Sequence, residues 1–186
     1  MALAGFVGVP GFLSLNRPVE AECLVVEGWV SDYALEFAAK EFRHGQYRRL
    51  YTTGGPLTKA SYLAEYKNNA DIAAATLGKL GLGSNIVVSV PAPEVKTDRT
   101  YASAVALRRR CEERGEQLTA LNVVTIGSHA RRTRFIYQKV FGKGVQVGVL
   151  AVREADYKPS RWWRYSAGWR DVIGESVGYL HARLVL

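Results

Sequence analysis

Short apolar runs rich in β-branched residues alternate along this chain with longer stretches in which apolar residues recur every three or four positions. The first run, Cys23–Glu27, leads into Gly28-Trp29 and predicts a strand. Ser31 or Asp32 then caps a helix that carries Ala34, Phe37, Ala38 and Phe42 on one face and ends near Gly45. Residues 50–53 predict a second strand, stopped by Gly54-Gly55-Pro56; a glycine pair there permits a tight turn and lets a ligand approach the backbone. Leu63, Tyr66, Ala70, Ala73, Leu77 and Leu80 mark one long helix, ended by residues 81–83. Residues 85–90 supply the third strand. After Pro91-Ala92-Pro93, Thr97 or Asp98 caps a helix with Val105 and Cys111 turned inward.

The fourth strand, Asn122-Val-Val-Thr-Ile126, stops at Gly127 and passes at once into a polar, Arg-rich turn. Ser128 reads as the N-cap of the helix that follows, with Phe135, Ile136 and Val140 at helical spacing. A fifth strand covers residues 145–152. Strands and helices alternating throughout predict an α/β fold: a three-layer, Rossmann-like, doubly wound parallel sheet of about five strands, with helices on both faces. Right-handed crossovers favour the order 3-2-1-4-5. That order sets strand one beside strand four, so Glu27-Gly28 and Ser128-His129 face one crevice at the switch point, where unpaired N–H groups and helix dipoles favour an anion.

The ends differ from the middle. Residues 1–15 carry no charge, but they fall short of the about 20 residues a membrane helix needs and lack a basic leader segment. Gly5, Gly8, Pro10 and Gly11 weaken any helix, so residues 1–18 are expected to be a flexible apolar arm or, alternatively, the remnant of a membrane anchor. Residues 19–186 are expected to form a single domain ending in a Trp/Arg-rich C-terminal helix. Arg161-Trp-Trp-Arg-Tyr165 and Trp169-Arg170 hold three of the four tryptophans, and Val172, Ile173, Val177 and Leu180 then form a stripe expected to pack on the sheet. The alternative for this segment is a membrane surface, with rings at headgroup depth and guanidinium groups on lipid phosphate.

Charge narrows the choice of partner. Lys and Arg number 25 against 17 Asp and Glu, a net charge of +8, and the excess is mostly Arg, which suits bidentate contact with phosphate or carboxylate. The run Arg108–Arg110 falls mid-helix and reads as a solvated face. Cys23 and Cys111 lie far apart with no CxxC or Cys/His cluster, so they read as small buried hydrophobes, and no metal site is expected. GxGxxG and GxxxxGK[ST] are both missing, and Ala130 stands where a GxSxG hydrolase elbow needs its second glycine.

What remains is a set of strand-end residues. Glu27 and His129 are the candidate catalytic pair; Gly28, Thr53, Gly54, Gly55, Thr97, Asp98, Arg99, Thr100, Ser128, Arg131 and Arg132 are candidate ligand-binding groups, with Arg134 close by in the same turn. Hydroxyls, glycines and arginines together make a phosphate or oxyanion cradle. Glu27 can take a ribose-type hydroxyl, orient His129 or act as a base; a plain salt bridge to Arg99 or Arg131 is the competing reading. Beside cations and a helix start, His129 is expected to titrate below a free histidine and to work neutral.

Several of these pieces resemble the bacterial ElyC/SanA/YdcF family (domain of unknown function 218). They are Val25-Val26-Glu27-Gly28, Thr53-Gly54-Gly55, Asp98-Arg99-Thr100-Tyr101-Ala102-Ser103-Ala104, and Val124-Thr125-Ile126-Gly127-Ser128-His129-Ala130-Arg131-Arg132, in the family's order. The resemblance covers nearly all of the chain from Cys23 to Leu180. It implies a Rossmann-like domain, often tethered by an N-terminal membrane helix, in cell-envelope or peptidoglycan maintenance, with nucleotide-type ligands such as S-adenosylmethionine. Membrane or envelope association is the expected location, with the cytoplasm otherwise. Glu27-Gly28-Trp29 departs from the family's plain glycine turn. The expected function is an enzyme or sensor that binds an anionic small molecule or lipid-linked phosphate. The alternative is a non-catalytic basic binder of nucleic acid or an acidic polymer, marked by steep salt dependence.

Overall fold

In the computed structural model, which describes residues 2–59 and 62–186, five parallel strands stand in the order β3-β2-β1-β4-β5. They are β1 (Cys23–Glu27), β2 (Arg49–Gly54), β3 (Val87–Pro91), β4 (Ala120–Ile126) and β5 (Gln146–Val152). Every residue of β1 and β4 is buried, as the continuous apolar runs require for strands covered on both faces. Their alternating side chains feed two separate cores. Leu24, Val26, Val124 and Ile126 pack under α2 (Asp32–His44) and α3 (Asn69–Lys79). Cys23, Val25, Leu121 and Val123 pack under α4 (Arg99–Glu113) and α5 (Ala130–Phe141). The result is the expected three-layer, Rossmann-like α/β architecture.

Strand β1 pairs with β2 on one side and β4 on the other, so the sheet reverses direction of travel between β1 and β4. Asn122 lies buried in the middle of β4, and its amide exchanges two hydrogen bonds with the Val19 backbone, accepting at 2.9 Å and donating at 2.8 Å. A bridge from Arg17 to Val149 continues this pinning beside β5. Both cysteines are buried and unpaired with each other.

The N-terminal segment is not a flexible arm. Residues 2–13 form α1 (Ala2–Leu13), which docks through Leu13 onto Trp162, Tyr157 and Val172; Met1 lies outside the described residues. Pro10 inside this helix lacks the N–H that would bond the Phe6 carbonyl, and the Trp162 indole N–H donates to that same oxygen at 3.3 Å. The tryptophan thus satisfies the group that proline orphaned, which a reading of helix propensity alone does not foresee.

Three other expectations need correction. The third helix begins only at Asn69, capped by Asn68, whose side chain accepts from Asp71 N–H; Leu63 and Tyr66 are exposed in the preceding loop. Val105 is exposed on α4, although Cys111 is inward as expected. On α6 (Ser166–Val185) Val172 is buried, while Ile173, Val177 and Leu180 face outward instead of packing on the sheet. Among the described residues no helix is long and apolar enough to cross a membrane.

Candidate functional site

A cavity of about 720 Å³ opens at the carboxyl ends of β1, β2 and β4, the crevice position set by the strand order. At its floor lies Glu27, the last residue of β1, only 2% exposed. Its carboxylate accepts hydrogen bonds from the hydroxyls of Thr125 on β4 and Thr133 on α5, the latter at 3.2 and 3.3 Å. Thr133 is not singled out by the sequence, and Thr125 enters there only within the stretch from Val124 to Arg132, with no role assigned; both lie where a buried carboxylate needs donors. The competing reading, a salt bridge from Glu27 to Arg99 or Arg131, is not met: among the described residues its ion-pair partner is His129.

His129 sits at the end of the short turn Gly127–His129 that joins β4 to α5. Its Nε2 is 3.5 Å from Glu27 Oε1 and 3.4 Å from the Thr100 hydroxyl at the start of α4. Its Nδ1 is 2.8 Å from Glu175 Oε1, and the Trp29 ring meets the imidazole edge-on at 4.8 Å. Arg132, one turn further along α5, grips the same Glu175 through two hydrogen bonds of 2.7 and 2.9 Å. Gly178 on α6 makes room for this guanidinium, since a Cβ there would stand 3.1 Å from Arg132 Nε. Glu27, His129, Glu175 and Arg132 therefore form one ion-paired chain, two acids with two bases.

This overturns the expected state of His129. Burial works against its charged form, but Glu27 and Glu175 outweigh burial and raise its pKa to about 9. The imidazole is an imidazolium at neutral pH, a proton donor instead of a neutral acceptor. Glu175 is likewise buried, yet its hydrogen bonds from His129 and Arg132 hold it down at about 2.

Of the remaining candidates, Thr53, Gly54, Gly55, Thr97, Asp98, Arg99 and Thr100 line the cavity. Asp98 caps α4 by backbone alone, in a left-handed conformation at φ 56°, its carboxylate accepting no capping hydrogen bond from the helix. The exposed Arg99 and Lys96 have no ion pair among the described residues and are the basic groups open to a ligand.

Four candidates do something else. Gly28 is a packing glycine: a Cβ would lie 2.7 Å from the Asn69 carbonyl carbon and 2.9 Å from Thr53 O. Ser128 is buried against the Tyr157 hydroxyl at 3.4 Å and makes no cap hydrogen bond to α5, whose N-cap is His129. Arg131 turns away from the cavity, donating to Phe12 O with its guanidinium 3.8 Å over the Phe12 ring. Arg134 donates to Val147 O at 2.9 Å.

The opposite wall was not foreseen. Glu154 and Asp156 after β5, with Asp171 and Glu175 from α6, line the cavity with carboxylates. Burial and the neighbouring Glu154 raise Asp171 to about 6. A signal was present in the sequence: Asp171, Glu175, Gly178 and Ala182 recur at helical spacing, one acidic-and-small face that holds both acids of the helix. Because β3 and β5 are opposite edges of the sheet, the cavity is basic toward the loop after β3 and acidic toward the loop after β5. Among the described residues no cluster of three or more His, Cys, Asp or Glu is placed to hold a metal ion. No protein-family model matches the chain, and no curated protein matches it.

Proposed function

We propose that this chain binds a nucleotide-type or lipid-linked small molecule at the strand ends, its anionic group on Lys96, Arg99 and the Gly54-Gly55 backbone. Its hydroxyl-bearing or positive part then meets the carboxylates of Glu154, Asp156 and Asp171. The observation that carries this reading is the charge division of the cavity, with Lys96 and Arg99, in no ion pair among the described residues, on either side of Asp98 at one end and a wall of four carboxylates at the other. A cradle for a bare anion needs no such wall, whereas ribose-type hydroxyls are commonly held by acids. S-adenosylmethionine, a carboxylate with a sulfonium and a ribose, has the matching distribution of charge.

His129 stands between Glu27 and Glu175 at the middle of this cavity. As an imidazolium it supplies a hydrogen bond, or its Nε2 proton, to a developing oxyanion; giving that proton leaves the neutral imidazole, which takes a proton back from solvent to restore the imidazolium, while Glu27 orients Nε2. Arg132 is occupied by Glu175 and acts by positioning His129 rather than by clamping the ligand. The clustering of Thr53-Gly54-Gly55, residues 98–100 and His129 around one cavity supports placing the chain beside the ElyC/SanA/YdcF proteins and in envelope upkeep. The nucleic-acid reading is weaker because basic residues outside the cavity are often spent locally: Arg108 and Arg109 pair with Glu112 and Glu113 on their own helix.

Calorimetric titration with S-adenosylmethionine, nucleoside diphosphates and inorganic phosphate tests the reading. Binding of at least one of the organic ligands is expected, weakened about tenfold by Arg99→Gln, as for loss of one charge-assisted hydrogen bond. His129→Gln is expected to spare affinity and to abolish any turnover. Unchanged affinity in both Arg99→Gln and Lys96→Gln refutes the assignment of the basic end.

A further inference from the structure

Helix α6 has three chemically different faces. Asp171 and Glu175 line the cavity, and they are the helix's only acids. Val172 and Ala182 are buried. Trp169, Ile173, Val177, Leu180 and Leu184 are exposed, from 43% at Ile173 to 86% at Leu184. At ~100° per residue these five fall within an arc of roughly 80°, one straight stripe along the whole helix. Arg170 borders the stripe on one side and Arg183 on the other, both exposed, while His181 stands at the cavity rim. At its start the Phe6 ring of α1 meets Trp169 at 6.0 Å, so the apolar surface runs on to the N-terminal helix. Arg161 and Arg164 stand exposed in the adjoining turn.

We propose that this outward face of α6 is a docking surface for an anionic lipid bilayer. A helix lying in the plane of a membrane surface carries this distribution: an apolar stripe to enter the acyl boundary, arginines beside it to meet lipid phosphates, and a Trp at the edge. The flanking charge also selects against a second copy of the chain. A two-fold pairing of the stripes sets Arg170 and Arg183 of one protomer against the same arginines of the other, and no acid on this face answers them. Arg161, Arg164 and Arg170 have no ion pair among the described residues, which leaves them available to phosphate. Docking brings the cavity on the inner side of α6 to within about one helix diameter, ~10 Å, of the headgroups. The surface stands independently of what the cavity binds.

The full chain is incubated with vesicles of phosphatidylcholine mixed with phosphatidylglycerol, and with vesicles of phosphatidylcholine alone, and recovered by co-sedimentation at low and high salt. Binding to the anionic vesicles is expected, falling with salt and weaker on neutral ones. The double variant Val177→Glu, Leu180→Glu is expected to reduce partitioning by about tenfold or more, since each change removes apolar contact and adds repulsion. Both positions are exposed, so its unfolding transition and circular dichroism should match the parent, and Arg170→Gln with Arg183→Gln gives a milder loss that tests the charge alone. No co-sedimentation with anionic vesicles, or equal binding by the Val177/Leu180 variant, overturns the proposal. So does a concentration-dependent dimer in light scattering that the same variant abolishes while vesicles go unbound, and so does equal binding to neutral and anionic vesicles.

Discussion

Protonation of His129 should make this protein lose stability as the pH rises from neutral to mildly alkaline. The imidazole lies 2.8 Å from Glu175 and 3.5 Å from Glu27. At an effective dielectric of about 20 each contact is worth roughly 5 kcal/mol gross, against a burial penalty of several kcal/mol for the imidazolium. The surplus appears as a pKa near 9 in place of 6.5. At 1.36 kcal/mol per pH unit this amounts to roughly 3 kcal/mol. The folded-state value is the raised one, so the contribution is fully present below pH 6.5 and disappears as the pH climbs through 9. Other shifted groups touch only the edges of this window. Asp171, raised to about 6, passes its midpoint below it, and the thiols that burial raises, Cys111 to about 11 and Cys23 likewise upward, add a smaller loss that begins only as the pH nears 9; Tyr157, raised to about 12, acts above it.

Urea unfolding at a series of pH values, with the His129 ring protons followed by NMR, measures both sides of this linkage. The parent should lose roughly 3 kcal/mol between pH 6.5 and 9. Glu175→Gln should lower the His129 midpoint, because it removes the closer carboxylate and leaves Arg132, 3.0 Å from Nδ1, to repel the imidazolium. His129→Gln should flatten the profile in that range. A His129 midpoint near 6.5 in the parent, with stability unchanged between 6.5 and 9, would refute the reasoning.

Two further outcomes follow from packing. Gly54→Ala places a Cβ 2.8 Å from Asn69 Cβ and 3.1 Å from Ala70 N, and should cost about 1–3 kcal/mol in thermal unfolding; Gly55→Ala meets nothing nearer than 3.8 Å and should leave the midpoint almost unchanged. Trp162→Ala removes a fully buried ring and the partner of Phe6 O, and should cost about 3–5 kcal/mol in urea unfolding while making α1 accessible to protease; an uncleaved α1 would count against its docking through Trp162.

How much was legible depended on the range of the interaction. The β-branched runs at Cys23–Glu27 and residues 122–126 predicted two-sided burial, and alternation with helices then left few topologies, so the sheet order followed from local pattern and chirality. The same order brought Glu27 and His129 together before any side chain was placed. Side-chain direction was not local. Arg131 and Arg132 are neighbours in sequence, yet one stacks on Phe12 and the other grips Glu175, because on a helix adjacent residues point roughly 100° apart. His129 was expected to be neutral from the cations beside it in sequence. Its real environment is Glu27, about a hundred residues upstream, and Glu175 on the last helix.

The sequence by itself determined the layered α/β architecture, the strand order and the end of the sheet at which the cavity opens. Hydrophobic period, glycine placement and crossover handedness are properties of short segments, and they add up along the chain. Only the tertiary structure decided the character of that cavity. Glu175, which with Glu27 charges His129, and the other carboxylates of the far wall come from α6 and the loop after β5, which arrive by packing across the sheet. Electrostatic energy depends on distance through space, and no periodicity along the chain encodes which distant carboxylate will lie 2.8 Å from an imidazole.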